Sequence, residues 1–482
     1  MCKILNMIKT LKIAFPLFLV IFSAFLLSGC TVSEERVNEY NTIVSEADTL
    51  IETKEYTSAM EKLSTAVDLI PSRVEALKKI VDIFILKNRL EDATKLVDES
   101  GSQLNDSDRA ALYVLIGDAQ YTIGNYERAS YNYQIAKSID SGNKSAMFGI
   151  AKSSMQKGKV EEAKDMLKAN YTDSMLIESK LLLSYIEALN DHKEAESIVK
   201  NVVPGDEWSE TYSNWISVLD TLNEDQLFNG SKLGKYYLDE GYPYLAIAIL
   251  EPKLKDMGEY TDGLYILGKA YFEYGNYDKS IQILENLSTL GDLNQYIYWV
   301  LARDYYLKDN VNEATSYYDS AISYGGNKGE QTLYTEYLDI LLKENLTEKA
   351  LEVIKTAERI FDETWVLMYY MRIYSLREDT QKFEYYRDRI IYDGLNDQEK
   401  IDYLYLKGEF EINDRELDEA QKTLDTYWGL DPYDPGYNLL SAKLSFEKGE
   451  LTEARKSAKN AMEYDLNGVI SEDAQKLLAQ ID

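Results

Sequence analysis

The chain has 482 residues, which exceeds one compact domain of about 100–200 residues, so it forms several domains or one long array. It carries 83 acidic side chains against 52 lysines and arginines, a formal net charge of −31. That charge argues against nucleic acid or anionic lipid headgroups as partners of the protein surface. Hydrophobic content of 45% with only 7 prolines points to a folded, helix-rich chain.

Residues 1–29 differ from the rest. Lys3, Lys9 and Lys12 precede an apolar run, IAFPLFLVIFSAFLL (13–27), with no acid. A basic start, an apolar core and small residues at its end describe a secretory signal, and the core is short for a membrane span. Leu27-Ser28-Gly29-Cys30 resembles the lipobox of bacterial lipoproteins. That resemblance implies a signal peptide over 1–29 and a Cys30 thiol acylated to become the new N-terminus. Residues 30–36 would then be an acylated tether on the extracytoplasmic face of the cell membrane. The chain has two cysteines, and Cys2 would leave with the signal, so the exported part has no disulfide and relies on packing. Losing the three lysines takes the charge from −31 to −34.

From residue 37 onward the sequence repeats. The stretches YTSAMEKLSTA (56–66), YERASYNYQIA (126–136), YDKSIQILENL (277–287) and VNEATSYYDSA (311–321) share one pattern of apolar or aromatic, small and large apolar positions. The small slot holds Ala59, Ala93, Ala129, Ala163, Ala195, Ala246, Ser280, Ala314, Ala350, Ala420 and Ala454, mostly 32–36 residues apart. Two gaps are longer: 51 residues before Ala246, one period plus an extra helix, and 70 before Ala420, which hides a weak unit near Phe383–Tyr386. A second small residue stands twelve earlier in many units, as at Ala47, Gly117, Ala151, Gly234, Gly268, Ala302, Gly408 and Ala442. Turn signals such as Gly124-Asn125 and Gly275-Asn276 separate the two. Each unit therefore reads as helix, turn, helix. The small residues let the two axes approach, and the turn glycine ends the first helix in a left-handed conformation.

This pattern resembles the tetratricopeptide repeat over roughly residues 35–468, most closely at 115–141 and 264–287. The resemblance implies an all-α fold, a right-handed α-solenoid of stacked helix-turn-helix repeats, with a groove lined by the first helix of each unit. We expect an N-terminal sub-array over 37–200 and a bridging helix and bend over 201–231, marked by Pro204-Gly205 and by Trp208, Tyr212, Trp215 and Leu219. A C-terminal sub-array over 232–468 and a capping helix over 469–482 follow.

The string GLYILGKA (263–270) spells most of a phosphate loop. Gly268, however, sits in the small slot of a first helix, and Ala270 stands where such a loop needs Ser or Thr for magnesium. The chain has one histidine, His192, and no ligand set for zinc or thiol chemistry. Acidic clusters at 105–108 and 431–434 lack the spacing of a calcium loop and suit helix caps. No enzyme activity, metal or cofactor is expected.

The residue after the first small slot should face the groove: Asp48, Asp82, Asp118, Lys152, Ser184, Lys235, Lys269, Arg303, Asp339, Glu409 and Lys443. Three consecutive cations, Lys235, Lys269 and Arg303, stand beside Tyr265, Phe272, Trp299 and Tyr306. Cations among aromatics suit a carboxylate-bearing peptide or an anionic glycan. Two functions fit. One is a lipid-anchored scaffold for protein or peptide partners of a bacterial envelope complex. The other is a binder of surface glycan or cell-wall polymer.

Overall fold

The computed structural model describes residues 33–172, 175–200, 202–258, 260–290, 294–326, 330–361, 363–465 and 468–481. The expected signal peptide and Cys30 lie outside the described residues. Among the described residues every regular element is a helix, and no helix is long and apolar enough to cross a membrane. The fold is an all-α repeat solenoid. Its contacts divide it into two compact units at Arg109/Ala110.

The first unit holds two hairpins, Glu34–Glu52 with Tyr56–Leu69 and Val74–Leu86 with Leu90–Ser100. Ala47 and Ala59 are fully buried where the first pair crosses, and Val81 and Ala93 take the same places in the second. Adjacent hairpins are tied by polar contacts as well as packing. The Tyr40 hydroxyl accepts the Ala76 N–H at 3.0 Å across the boundary between them. That bond satisfies an orphan donor of the next helix, which would otherwise be buried unpaired.

The second unit continues the same hairpins, and its core is a succession of apolar clusters rather than one centre. Between the hairpin Ile177–Glu187/His192–Val199 and the next, Gln226–Asp239/Pro243–Leu250, stands the lone helix Ser209–Thr221. Its Trp215 is fully buried among Tyr185, Tyr236 and Tyr237 and donates from Nε1 to Ser184 Oγ at 2.8 Å. Ser184 in turn donates to the Ala195 carbonyl at 2.7 Å. Ser184 therefore does not face the groove. The indole covers it, and a fully buried hydroxyl must find its partners inside.

The weakly marked stretch is a regular hairpin, Thr364–Leu376 with Thr380–Arg387. Met371 and Phe383 fill its two small slots, both fully buried. Phe383 is accommodated by stacking on Phe410 of the following first helix, ring centres 3.7 Å apart. A large residue can hold a small slot when its neighbour opens room for it.

Helix starts follow the polar residues. Asn125, Asn143, Asp225 and Asn276 each cap a helix by accepting a backbone N–H of its first turn. The acidic clusters do the same: Asn105 accepts from the Asp108 N–H and Asp434 from the Tyr437 N–H. Gly268 lies inside the helix Thr261–Glu273 against Leu284. Most hairpin turns contain one left-handed residue, the turn between Ile177–Glu187 and His192–Val199 being an exception. It is glycine at 124, 158, 241, 275 and 449, but Lys54, Asn88, Asp309, Asn345, Glu378 and Arg415 adopt the same conformation. The turn geometry thus recurs even where the residue does not favour it, because the packing of both helices demands it.

Candidate functional site

The groove slots explain one another once the helices are in place. Residues one repeat apart in this slot stand side by side, and opposite signs pair. Lys152 meets Asp118 at 2.8 Å, Arg372 meets Asp339 at 2.7 Å, and Lys443 meets Glu409 at 2.7 Å. Arg372 is the slot residue of the weak hairpin, which the sequence reading passed over. Counting 33 residues on from Asp339 finds it.

Lys235 and Lys269 are successive slots of like sign, so neither can pair with the other. Each turns to a carboxylate one turn along its own helix: Lys235 to Asp239 at 2.7 Å and Lys269 to Glu273 at 3.4 Å. Such exposed pairs contribute only about 0.3–0.5 kcal/mol, and the Lys235 side chain keeps 67% of its surface exposed. Burial, opposed by Lys269, pushes the Glu273 carboxyl above its ordinary pKa.

These two lysines line a cleft of about 500 Å³ between the helices Gln226–Asp239 and Thr261–Glu273. Phe228, Leu238, Ile266 and Tyr265 supply its apolar walls. Burial raises the Tyr265 pKa, so the phenol stays neutral. Two residues the sequence reading missed complete the cleft. Lys232 lies over the Phe228 ring at 5.5 Å, and Ser231 presents a buried hydroxyl oxygen with no partner. An unpartnered buried hydroxyl is uncommon and wants a ligand atom. Three ammonium groups stand here among Asp239, Asp262 and Glu273, so the charge is locally balanced on an otherwise acidic protein.

The other expected groove residues are placed differently. Trp299 is 8% exposed and donates from Nε1 to Glu336 at 3.1 Å. Arg303 grips both oxygens of Glu336, and its guanidinium stacks on the Trp299 ring at 4.4 Å. Tyr318 donates to the same carboxylate. Burial alone would raise the Glu336 pKa, but the hydrogen bonds from Arg303 and Tyr318 and the Arg303 charge leave it lowered. Arg303 is thus held by a bidentate pair that welds two repeats. No pattern in the sequence singles Glu336 out among the chain's 83 acids. Phe272 packs on Tyr277 of its own hairpin at 6.1 Å, and Tyr306 donates to Glu344 at 3.4 Å. The structure therefore brings Lys235, Tyr265 and Lys269 together in one cleft and commits Trp299 and Arg303 to the neighbouring Glu336 network.

No known family model matches the chain. It is 22% identical over 288 residues to the TPR repeat-containing protein MJ1428 of Methanocaldococcus jannaschii, covering 56% of this chain and 47% of that protein. The fold of this chain is an all-α repeat solenoid. It spans about half the length of the curated relative it matches. Among solved structures, it is similar to the APC/C hetero-tetramer Cut9–Hcn1, with 15% identity, 92% and 90% of the two chains covered and a TM-score of 0.34. Naa15/Naa10 bound to HypK gives 12% identity, 92% and 96% coverage and 0.35. Yeast Tom70 gives 15%, 92% and 96%, and 0.33.

Proposed function

We infer that this protein is a scaffold for protein–protein interaction, held on the extracytoplasmic face of a bacterial membrane by acylation at Cys30. It takes a carboxylate-bearing segment of an envelope partner in the cleft of Lys235 and Lys269. The observation that supports this reading is the interrupted ladder of slot charges. At Asp118/Lys152, Asp339/Arg372 and Glu409/Lys443 opposite slots neutralise one another, whereas here two lysines hold only weak pairs beside an apolar wall and an unpartnered serine. A partner carboxylate gains two ammonium groups at the cost of two exposed pairs, a favourable exchange once the cleft is desolvated. The glycan alternative draws on exposed aromatic faces, and Trp299, the indole it relied on, is turned inward onto Glu336.

The test is crosslinking in intact cells followed by mass spectrometry of what the protein captures. Lys235→Glu with Lys269→Glu is expected to lose the captured protein while Lys95→Glu, on an exposed helix face, keeps it. Cys30→Ala is expected to release the chain from the membrane fraction. Unchanged capture by the double variant would end the cleft assignment, and membrane retention of the Cys30 variant would end the anchor.

A further inference from the structure

We propose that a second cleft, built by the last three hairpins, binds an arginine- or lysine-bearing protein segment. The cleft has a volume of about 500 Å³ and lies between the helices Thr364–Leu376 and Asp397–Asn413 and the start of Pro435–Glu447. It extends the scaffold reading to a second site and shares with it only the kind of ligand, a protein segment.

Its walls are aromatic. Trp365 and Tyr369 come from the first helix, Tyr405 from the second, and Tyr427 closes the end. Tyr405 can lean so far in because Gly436 has no side chain, and a methyl there would stand 2.8 Å from the ring. The Trp365 Nε1 has no hydrogen-bond partner, so this wall holds a donor still to be satisfied.

Its charges are accounted for one by one. Arg372 is spent on Asp339 at 2.7 Å and stacks over Tyr369. Asp434 is spent on the Tyr427 hydroxyl at 2.6 Å and the Tyr437 N–H at 3.0 Å. Asp402 accepts only from the Gln398 amide at 3.0 Å, and no cation pairs with it among the described residues. Partial shielding from water and, less, the charge of Asp434 hold its pKa above the ordinary value, opposed by the Gln398 hydrogen bond and by Arg372. Glu409, Asp473 and Asp434 act on Tyr405 in the same sense. The cleft therefore offers one exposed carboxylate, without a cation partner among the described residues, beside the rings of Trp365 and Tyr405.

That combination selects its occupant by chemistry. A guanidinium or ammonium is attracted by aromatic faces and by Asp402 together, and each adds to the other when water is excluded. An anion meets uncompensated carboxylates. A neutral sugar stacks on the rings but leaves Asp402 desolvated and unpaired, which costs free energy. The volume exceeds one side chain, so the residues flanking the cation enter with it. The net charge of −31 steers basic segments toward the surface.

The full chain is titrated by calorimetry with two blocked pentapeptides, acetyl-Gly-Arg-Gly-Arg-Gly-amide and its glutamate counterpart, and with chitohexaose. The arginine peptide is expected to bind and the sugar is not, while any binding of the glutamate peptide is expected to belong to the other cleft, lost in Lys235→Glu with Lys269→Glu and untouched by the Asp402 variants. Asp402→Asn, which keeps shape and removes charge, is expected to weaken arginine-peptide binding by about tenfold or more. Asp402→Ser repeats the measurement should the first variant melt early. Lys235→Glu with Lys269→Glu, at the other cleft, leaves the affinity unchanged, so this result stands apart from the fate of the proposed function. The proposal is overturned by absence of arginine-peptide binding, by equal binding in both Asp402 variants, or by tighter binding of chitohexaose.

Discussion

Gly149→Ala adds a methyl group 2.4 Å from the Tyr133 ring, a separation no carbon pair tolerates. In an ordinary helix the change would stabilise by about 1 kcal/mol through propensity. Here the ring cannot yield. Gly117 faces it on the other side, where an added methyl would stand 2.7 Å away, and its hydroxyl is held by Asp118 at 2.7 Å. Tyr133 is fully buried, a slab from one second helix wedged between two first helices. Forced overpacking typically costs about 1–3 kcal/mol, so the net change is expected to be a loss of up to about 2 kcal/mol, against the sign of propensity. Urea unfolding followed by helical circular dichroism measures it. Pairing the variant with Tyr133→Leu, which vacates the slot, is expected to recover at least about 1 kcal/mol of coupling. Gly268→Ala is a milder case. Its methyl would meet Leu284 at 2.5 Å, and a leucine side chain can rotate away. If Gly149→Ala proves more stable than the parent, or if the pair is additive, the wedge does not explain why glycine stands there.

Two further outcomes follow from buried chemistry and backbone. Asp304 is fully buried, accepts from Ser280 at 2.6 Å, and has its pKa pushed up to about 7 by burial. Its stability contribution is full below about pH 4, the unfolded value, and is lost as pH rises through about 7, on the order of 4 kcal/mol. Asp304→Asn is therefore expected to gain on the parent steadily from about pH 4 to about pH 8 in melts run across that range. A constant difference over that range would show that Asp304 keeps an ordinary carboxylate pKa in the fold. Gly275 has a φ of 82° with open space around it, so Gly275→Ala isolates backbone strain and is expected to cost about 1–2 kcal/mol. A melt unchanged by that substitution would show the turn relaxing to another conformation.

The weak hairpin shows where sequence reading succeeds and where it stops. Its existence followed from a gap of two periods between Ala350 and Ala420, since an array cannot skip a unit without exposing its neighbours' apolar faces. Its groove residue, Arg372, was hidden because Met371 and Phe383 stand where small residues mark the other units. Only the stack of Phe383 on Phe410 reveals how the slot is filled. Similarly, Trp299 and Arg303 looked like an open aromatic-cation site until Glu336, a full repeat away, was seen to hold both.

Helix, turn and period are local properties: small residues at crossing points, polar caps and turn residues recur along the chain and can be counted from letters alone. The all-α repeat solenoid was legible for that reason. Which charges are neutralised, which rings are buried and which carboxylate is left uncommitted depend on residues about one repeat away, brought together only when first helices lie side by side. Lys152 follows an aspartate by one repeat and pairs with it, whereas Lys235 follows the buried Ser184 and precedes Lys269, and only the stacked helices show that these neighbours are the ones that matter. Pairing between elements is a property of three-dimensional adjacency, and there the tertiary structure decided what the composition left open.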